Sequence, residues 1–271
     1  MKQLKYHVLW PGGNTTAIVT DKIPRKLHAG IANKIMKADP SIEQVGYLEK
    51  PRSRSANTRL QMMGGEFCGN ATRSAAFFWA WQVRETGGKK VHQVRMEASG
   101  LPEILKVAVS TSSADITLPG DFFVSIKKIS KGFIVDLRGI RHIILFTKGT
   151  MAHAKKMITA HKGKLPAVGV IYSNLRGGRV AIKPLIWVRE TDSFVPETGC
   201  ASGSIAAAIA AYTVQSGKRK TYSVIQPSKI PYQVILKPVR SKSAALASKK
   251  PFSEIVIKGR IKYAGVRSIT L

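Results

Sequence analysis

Apolar positions along the chain follow two periods. Short runs that alternate, or are apolar throughout, predict strands at residues 8–10, 17–19, 104–109, 133–137, 142–146, 168–172, 180–182 and 254–257. Four segments predict helices instead. Residues 24–36 carry Leu27, Ile31 and Ile35 at helical spacing behind Pro24, a residue suited to a first turn. Residues 151–161 form a shorter candidate, and residues 69–84 and 201–214 are Ala-rich and strongly helical. The class implied is mixed α/β (α+β).

Composition narrows the picture. With 271 residues, 44% of them apolar, a sizeable core is within reach, in one large domain or two ordinary ones. The longest apolar runs are far shorter than the roughly 20 residues that cross a bilayer, so no membrane span is expected. The N-terminus alternates like a strand and lacks the apolar stretch and cleavage site of a signal peptide, which predicts a cytoplasmic protein. In that compartment two cysteines read as free thiols. The formal charge of +29 would on its own suggest nucleic acid. The basic residues are spread out, however, with modest clusters at Lys127-Lys128, Lys218-Arg219-Lys220 and Lys249-Lys250 and no nucleic-acid motif, so no specific nucleic-acid partner is expected. Residues 240–250 are rich in Ser, Ala and Lys.

Each Ala-rich helix is preceded by the same kind of box: Glu66-Phe67-Cys68-Gly69-Asn70-Ala71-Thr72-Arg73 in one half of the chain and Glu197-Thr198-Gly199-Cys200-Ala201-Ser202-Gly203-Ser204 in the other. A duplicated fold with one cysteine per half follows, its two halves expected to face each other across a cleft. A cysteine at a helix start meets free N–H groups and the positive end of the helix dipole, which lower a thiol pKa. The small residues beside it leave amides open to a carboxylate. Two such ends would grip the α-carboxylate of an amino acid and absorb the charge of its carbanion. One thiolate would take the Cα proton while the opposite thiol returned one to the other face. The expected partner is therefore a small-molecule amino acid, and no cofactor is expected because no pyridoxal-lysine context is recognisable.

These boxes resemble those of the diaminopimelate epimerase superfamily, which includes proline racemase-like enzymes, phenazine-biosynthesis isomerase-like proteins and the histidine racemases of opine-metallophore pathways. The resemblance implies two pseudo-symmetric lobes, each a barrel-like, mostly antiparallel sheet around a central helix: residues 1–118 plus 260–271 with Cys68, and residues 119–259 with Cys200. It implies catalytic roles for Cys68 and Cys200 and substrate contacts at Asn14, Gly69, Asn70, Glu190, Ala201 and Ser202. Three places depart from the diaminopimelate pattern: Ile140-Arg141-His142 stands for Asn-Pro-His, Gly169 for an Asn, and Glu190-Thr191 for Glu-Arg. Losing those partners would leave a distal amino-acid group underbound, which favours a substrate with one stereocentre. Gly64 to Thr72 and Gly139-Ile140-x-His142 look most similar to the histidine racemases.

The other candidates carry two readings each. Glu66 and Glu197 would bind the substrate amine or merely favour the helix start. Ser202 and Ser204 would donate to the carboxylate or cap the helix. His142 reads as a core or edge residue as readily as a cleft residue, and Arg73 as a helix-surface or interlobe residue. His7, His28, His92, His153 and His161 lack metal-ligand spacing with the cysteines, so no metal site is expected. The competing functions are diaminopimelate epimerase, a phenazine-type isomerase and a basic nucleic-acid-binding protein. A homodimer is compatible with all the enzymatic readings.

Overall fold

The computed structural model describes residues 3–190, 192–239 and 251–271; Thr191, the Lys249-Lys250 cluster and the whole of 240–250 lie outside the described residues. The chain divides into two compact units, Met1–Ile116 with Lys258–Leu271, and Thr117–Ile257. In chain order the first stretch forms β1 (Gln3–Trp10), β2 (Thr16–Val19), α1 (His28–Ala38), β3 (Gln44–Glu49), β4 (Thr58–Met62), α2 (Gly69–Glu85), β5 (Gln93–Ala98), β6 (Leu105–Val109) and β7 (Ala114–Pro119). There follow β8 (Phe123–Ile129), β9 (Gly132–Leu137), β10 (Ile140–Leu145), α3 (Met151–His161), β11 (Ala167–Arg176), β12 (Arg179–Val188), β13 (Ser193–Pro196) and α4 (Ala201–Val214). The chain ends with β14 (Thr221–Ile225), β15 (Pro231–Pro238), β16 (Phe252–Lys258) and β17 (Lys262–Thr270).

The two units repeat one pattern of pairing. In the first, β1 lies antiparallel to both β17 and β2, β2 is parallel to β3 across α1, β3 is antiparallel to β4, β4 is parallel to β5 across α2, and β5 is antiparallel to β6. In the second, β9 is antiparallel to β8 and β10, β10 is parallel to β11 across α3, β11 is antiparallel to β12, β12 is parallel to β14 across α4, and β14 is antiparallel to β15. Each parallel pair needs a crossover, and a helix supplies it. The second crossover helix of each unit, α2 or α4, is the one that follows a cysteine.

Packing explains the two kinds of apolar pattern. α2 touches β1 through β6, and α4 touches β9 to β12, β14 and β15. Surrounded by strands, α4 has no solvent face: Ile205 through Ala211 are all buried, which is why its sequence is apolar all round. The flanking helices cover the other face of each sheet. Ile31, Ala32 and Ile35 of α1 pack on Leu4, Tyr6, Val8, Val19 and Val45, while Ala154 and Ile158 of α3 pack on Ile143, Val168, Val170 and Trp187. Strands covered on both faces, such as β2 and most of β11, read as unbroken apolar runs.

All four expected helices form, although residues 25–27 begin the first one as a 3-10 turn. Among the described residues nine strands escaped the pattern, including the largely exposed β8 and β17. No helix among the described residues is long and apolar enough to cross a membrane.

Arg73 departs from its reading as a surface or interlobe residue. It is fully buried and donates from Nε to the Ala114 carbonyl at 2.7 Å and from Nη2 to the Arg260 carbonyl at 3.3 Å, tying α2 to two segments of its own unit. Arg73→Met leaves those carbonyls without this donor in the interior, and is expected to cost about 3 kcal/mol in urea denaturation.

Candidate active site

Cys68 and Cys200 each occupy the N-cap of their helix with nearly the same extended backbone, φ −126 and ψ 114 for the first, φ −127 and ψ 109 for the second. Their carbonyls are held alike. Thr72 donates to the Cys68 carbonyl through N–H at 2.9 Å and Oγ1 at 2.7 Å; Ser204 donates to the Cys200 carbonyl through N–H at 3.0 Å and Oγ at 2.6 Å. The shared spacing Cys-x-x-x-Thr/Ser thus fixes the first helical turn under each thiol.

Cys68 is half-buried, and its Sγ donates to Gln44 Oε1 at 2.9 Å. The Gln44 Nε2 is committed to Thr16 Oγ1 at 2.7 Å and to the Asn14 carbonyl at 3.4 Å. Asn14 is buried with φ 57, following Gly12 and Gly13, both of positive φ, in the tight turn between β1 and β2. This turn, the first residue of β3 and the start of α2 therefore converge. Gly69 and Asn70 lie in the buried first turn of α2, where Asn70 Oδ1 accepts from Arg73.

Cys200 is only 2% exposed. Its Sγ accepts from the Gly203 N–H at 3.2 Å and lies 3.7 Å from Ser202 Oγ. A side chain at Gly203 would meet that sulfur at 2.9 Å, so the small residue is required. Ala201 begins α4 and is buried. Ser202 Oγ lies 3.0 Å from Nε2 of His142, a wholly buried residue of β10. Gly169 stands opposite His142 on β11, and a Cβ there would come within 2.5 Å of His142 Nδ1. The glycine in place of an asparagine is the room that this imidazole occupies.

The expectation of helix-lowered thiols is corrected at Cys200. Its pKa is raised, first by burial and then by the charge of Glu197 and a hydrogen bond to it, and these outweigh the Gly203 N–H and Ser202. Glu197 thus acts on the thiol itself. The Cys68 thiol instead donates to an uncharged acceptor, Gln44 Oε1. Ser204 caps Cys200 rather than pointing a free hydroxyl at a ligand. Glu190 is not brought to this site within its unit: it is exposed in the turn between β12 and β13, whose paired residues run from Val188 with Ser193 to Leu185 with Pro196, the end that leads on to Cys200. Among the described residues no group of three or more His, Cys, Asp or Glu is placed to hold a metal ion.

Two site residues were not singled out by sequence, Gln44 and Gln226. Gln226 Oε1 accepts from the Cys200 N–H at 2.9 Å. Both are single amides at strand ends, and no motif marks them.

Burial pushes the His142 pKa down from 6.5 to about 3. Below pH ~6.5 the unfolded chain takes up a proton that the folded chain refuses, so this stability is fully present above that pH and is lost as the pH falls toward about 3. By pH ~4.5 the loss is expected to be about 2–3 kcal/mol. Urea midpoints of the parent and His142→Asn across this range check it, the variant giving the shallower dependence.

Residues 3–260 match the family model described as the histidine racemase CntK N-terminal domain. A histidine racemase of Fusobacterium nucleatum is 31% identical over 214 residues, covering 72% of this chain and 76% of that protein. One from Staphylococcus aureus is 26% identical over 234 residues, covering 80% and 83%. Among solved structures, a phenazine biosynthesis protein of the PhzF family from Bacillus anthracis aligns with TM-score 0.66 at 15% identity, covering 100% of both chains. A hydroxyproline epimerase from Agrobacterium vitis aligns with TM-score 0.63 at 12% identity, covering 99% of this chain and 91% of that one. These last two likenesses show a shared mixed α/β fold.

Proposed function

The chain belongs to the histidine racemase family described by the CntK N-terminal domain, and on that footing we propose that it inverts the α-carbon of histidine without a cofactor, by proton transfer through Cys68 and Cys200. The observation that carries the mechanism is the matched placement of the thiols: the same N-cap position, the same backbone angles and the same hydroxyl-braced first turn, on the same crossover helix of each unit.

In this reading the open amides of each first turn, at Gly69-Asn70 and Ala201-Ser202, hold the α-carboxylate and take up negative charge as the Cα proton leaves. Cys68, as thiolate, removes the proton from one enantiomer. Cys200, kept protonated by burial and Glu197, supplies the proton to the opposite face. The reverse reaction exchanges the roles. Asn14 and Gln44 shape the approach to Cys68. Because enantiomers have equal free energy, kcat/KM is the same in both directions at every pH. It should rise with pH as the attacking sulfur loses its proton and fall once the donating sulfur loses its own.

The barrel-like wrap of each sheet around its central helix, the lobes 1–118 plus 260–271 and 119–259, and a cytoplasmic setting that keeps both thiols reduced belong to the same proposal. Its only partners are the amino acid and, at most, a second copy of the chain. Residues at the places expected to read a distal amino-acid group have other tasks. Arg141 is bonded twice to Asp136, at 2.6 and 3.0 Å, and Gly169 makes room for His142. This supports a substrate with one stereocentre over diaminopimelate. Chiral analysis after incubating reduced protein with L-histidine or LL-diaminopimelate, with nothing added, tests the choice. D-histidine alone is expected; conversion of diaminopimelate alone would replace the reading with the epimerase.

A further inference from the structure

We infer that Gln226, which no motif marks, is the positioning residue that aims the Cys200 thiol. The inference rests on the two-thiol reading above. Gln226 follows β14, the strand to which α4 leads, and is 2% exposed. Its Oε1 accepts from the Cys200 N–H at 2.9 Å; its Nε2 donates to Ser204 Oγ at 2.9 Å and to the Val224 carbonyl at 3.0 Å. Ser204 Oγ in turn donates to the Cys200 carbonyl at 2.6 Å. A closed ring therefore runs from the Cys200 N–H through the Gln226 amide and the Ser204 hydroxyl back to the Cys200 carbonyl.

The ring allows one amide orientation. Reversed, the NH2 of Gln226 would face the N–H of Cys200, and two donors would meet with no acceptor. An N-cap N–H has no partner within its own helix, and here this side chain supplies one to the peptide ahead of Cys200. The peptide angles there set where Sγ points, since the Gly203 N–H already fixes the side chain against the first turn. The carbonyl half of the arrangement recurs at Cys68, where Thr72 does the work of Ser204. A return strand after the central helix also braces the preceding loop in the first unit, where Ser99 Oγ donates to the Glu66 carbonyl at 2.7 Å. Gln226 is the version of that brace that reaches the cysteine itself.

A misaimed Cys200 has a signature that instability lacks. When Cys68 takes the Cα proton, the carbanion is either protonated by Cys200, giving product, or reprotonated by Cys68, returning substrate. Slower delivery by Cys200 shifts that partition toward return, and exchange of the Cys68 proton with D2O labels the returned substrate. When Cys200 is the base, its own return is the slowed step and labelling of returned substrate does not rise. The ratio of label in recovered substrate to label in product is a property of each turnover and does not depend on how much protein is folded.

The experiment measures this ratio from L- and D-histidine in D2O for the parent, Gln226→Met and Gln226→Glu, with Ser204→Ala as a milder break of the ring. Gln226→Met is expected to lower kcat/KM about tenfold to a hundredfold equally from both enantiomers, with the ratio rising from the enantiomer whose proton Cys68 removes and staying near zero, as in the parent, from the other. Gln226→Glu keeps the acceptor and loses the donor, and is expected to fall between parent and Met, as is Ser204→Ala. Lower activity with both ratios unchanged would overturn the aiming role. Failure of the two-thiol reading would look different, since the parent itself would then label both enantiomers equally.

Discussion

Replacing Cys68 or Cys200 by serine should each lower racemisation by at least about a thousandfold. A serine hydroxyl is far too weak an acid to give up its proton at neutral pH, and too weak a donor to protonate a carbanion as it forms. The substitution removes chemistry while leaving structure nearly alone, because the Thr72 and Ser204 bonds to the two carbonyls involve the backbone of residues 68 and 200 and persist. The double variant should be no slower than the worse single one, since a two-base transfer is already broken when either member is missing. Steady-state rates by chiral chromatography, with denaturation midpoints alongside, check both points. Undiminished inversion by either single variant would remove that sulfur from the mechanism.

The second large effect is expected in the fold. Gly169→Asn restores the residue type that a diaminopimelate-like site would carry, yet its Cβ would lie 2.5 Å from His142 Nδ1 and 2.6 Å from Ile186 Cδ1. Neither neighbour yields easily: the imidazole is held by Ser202 and is wholly buried, and Ile186 is a buried residue of β12. Overpacking of this kind costs about 3 kcal/mol. It would be accompanied by displacement of the His142 ring from Ser202, two residues beyond Cys200. The variant should therefore lose stability and histidine turnover together and gain no action on diaminopimelate. Denaturation curves and chiral assays with both amino acids distinguish this from a simple exchange of specificity, in which diaminopimelate activity would appear.

How much of this was legible in the sequence depended on whether the signal was local. The helices at 69–84, 151–161 and 201–214 were readable because composition and period agreed over three or more turns, and in α4 the run from Ile205 to Ala211 that the fold buries carries no polar residue. Strands such as β2 and most of β11 announced themselves as apolar runs, whereas the buried β3 and β4 carry Gln44, Arg59 and Gln61 and did not. β8 and β17, with most side chains exposed, carried too little apolar alternation to stand out. The cysteine boxes were legible because all their parts lie within a dozen residues. What those boxes do to the thiols was not: the helix start argues for a lowered pKa, while burial and Glu197 win at Cys200. Gln44, at the start of β3, and Gln226, just after β14, are well separated in sequence from the cysteines they touch, so only the folded pairing brings them in. Arg73 looked like a surface cation because its partners, the Ala114 and Arg260 carbonyls, are backbone atoms that no residue pattern encodes. Glu190 carries a site role on the likeness alone. Within its unit it lies in the turn between β12 and β13, at the end of the hairpin opposite Pro196.

The most direct test of the two-thiol transfer is the position of deuterium at the earliest stage of the reaction. Reduced protein is mixed with L-histidine in D2O with nothing added, and the D- and L-enantiomers are separated and weighed for label while conversion is still small. Transfer between two thiols predicts that nearly every D-histidine formed carries deuterium at Cα while the remaining L-histidine keeps its hydrogen, because the base that removes a proton is not the acid that returns one. Deuterium appearing equally in both enantiomers from the start would mean that a single base serves both faces, and would contradict the account.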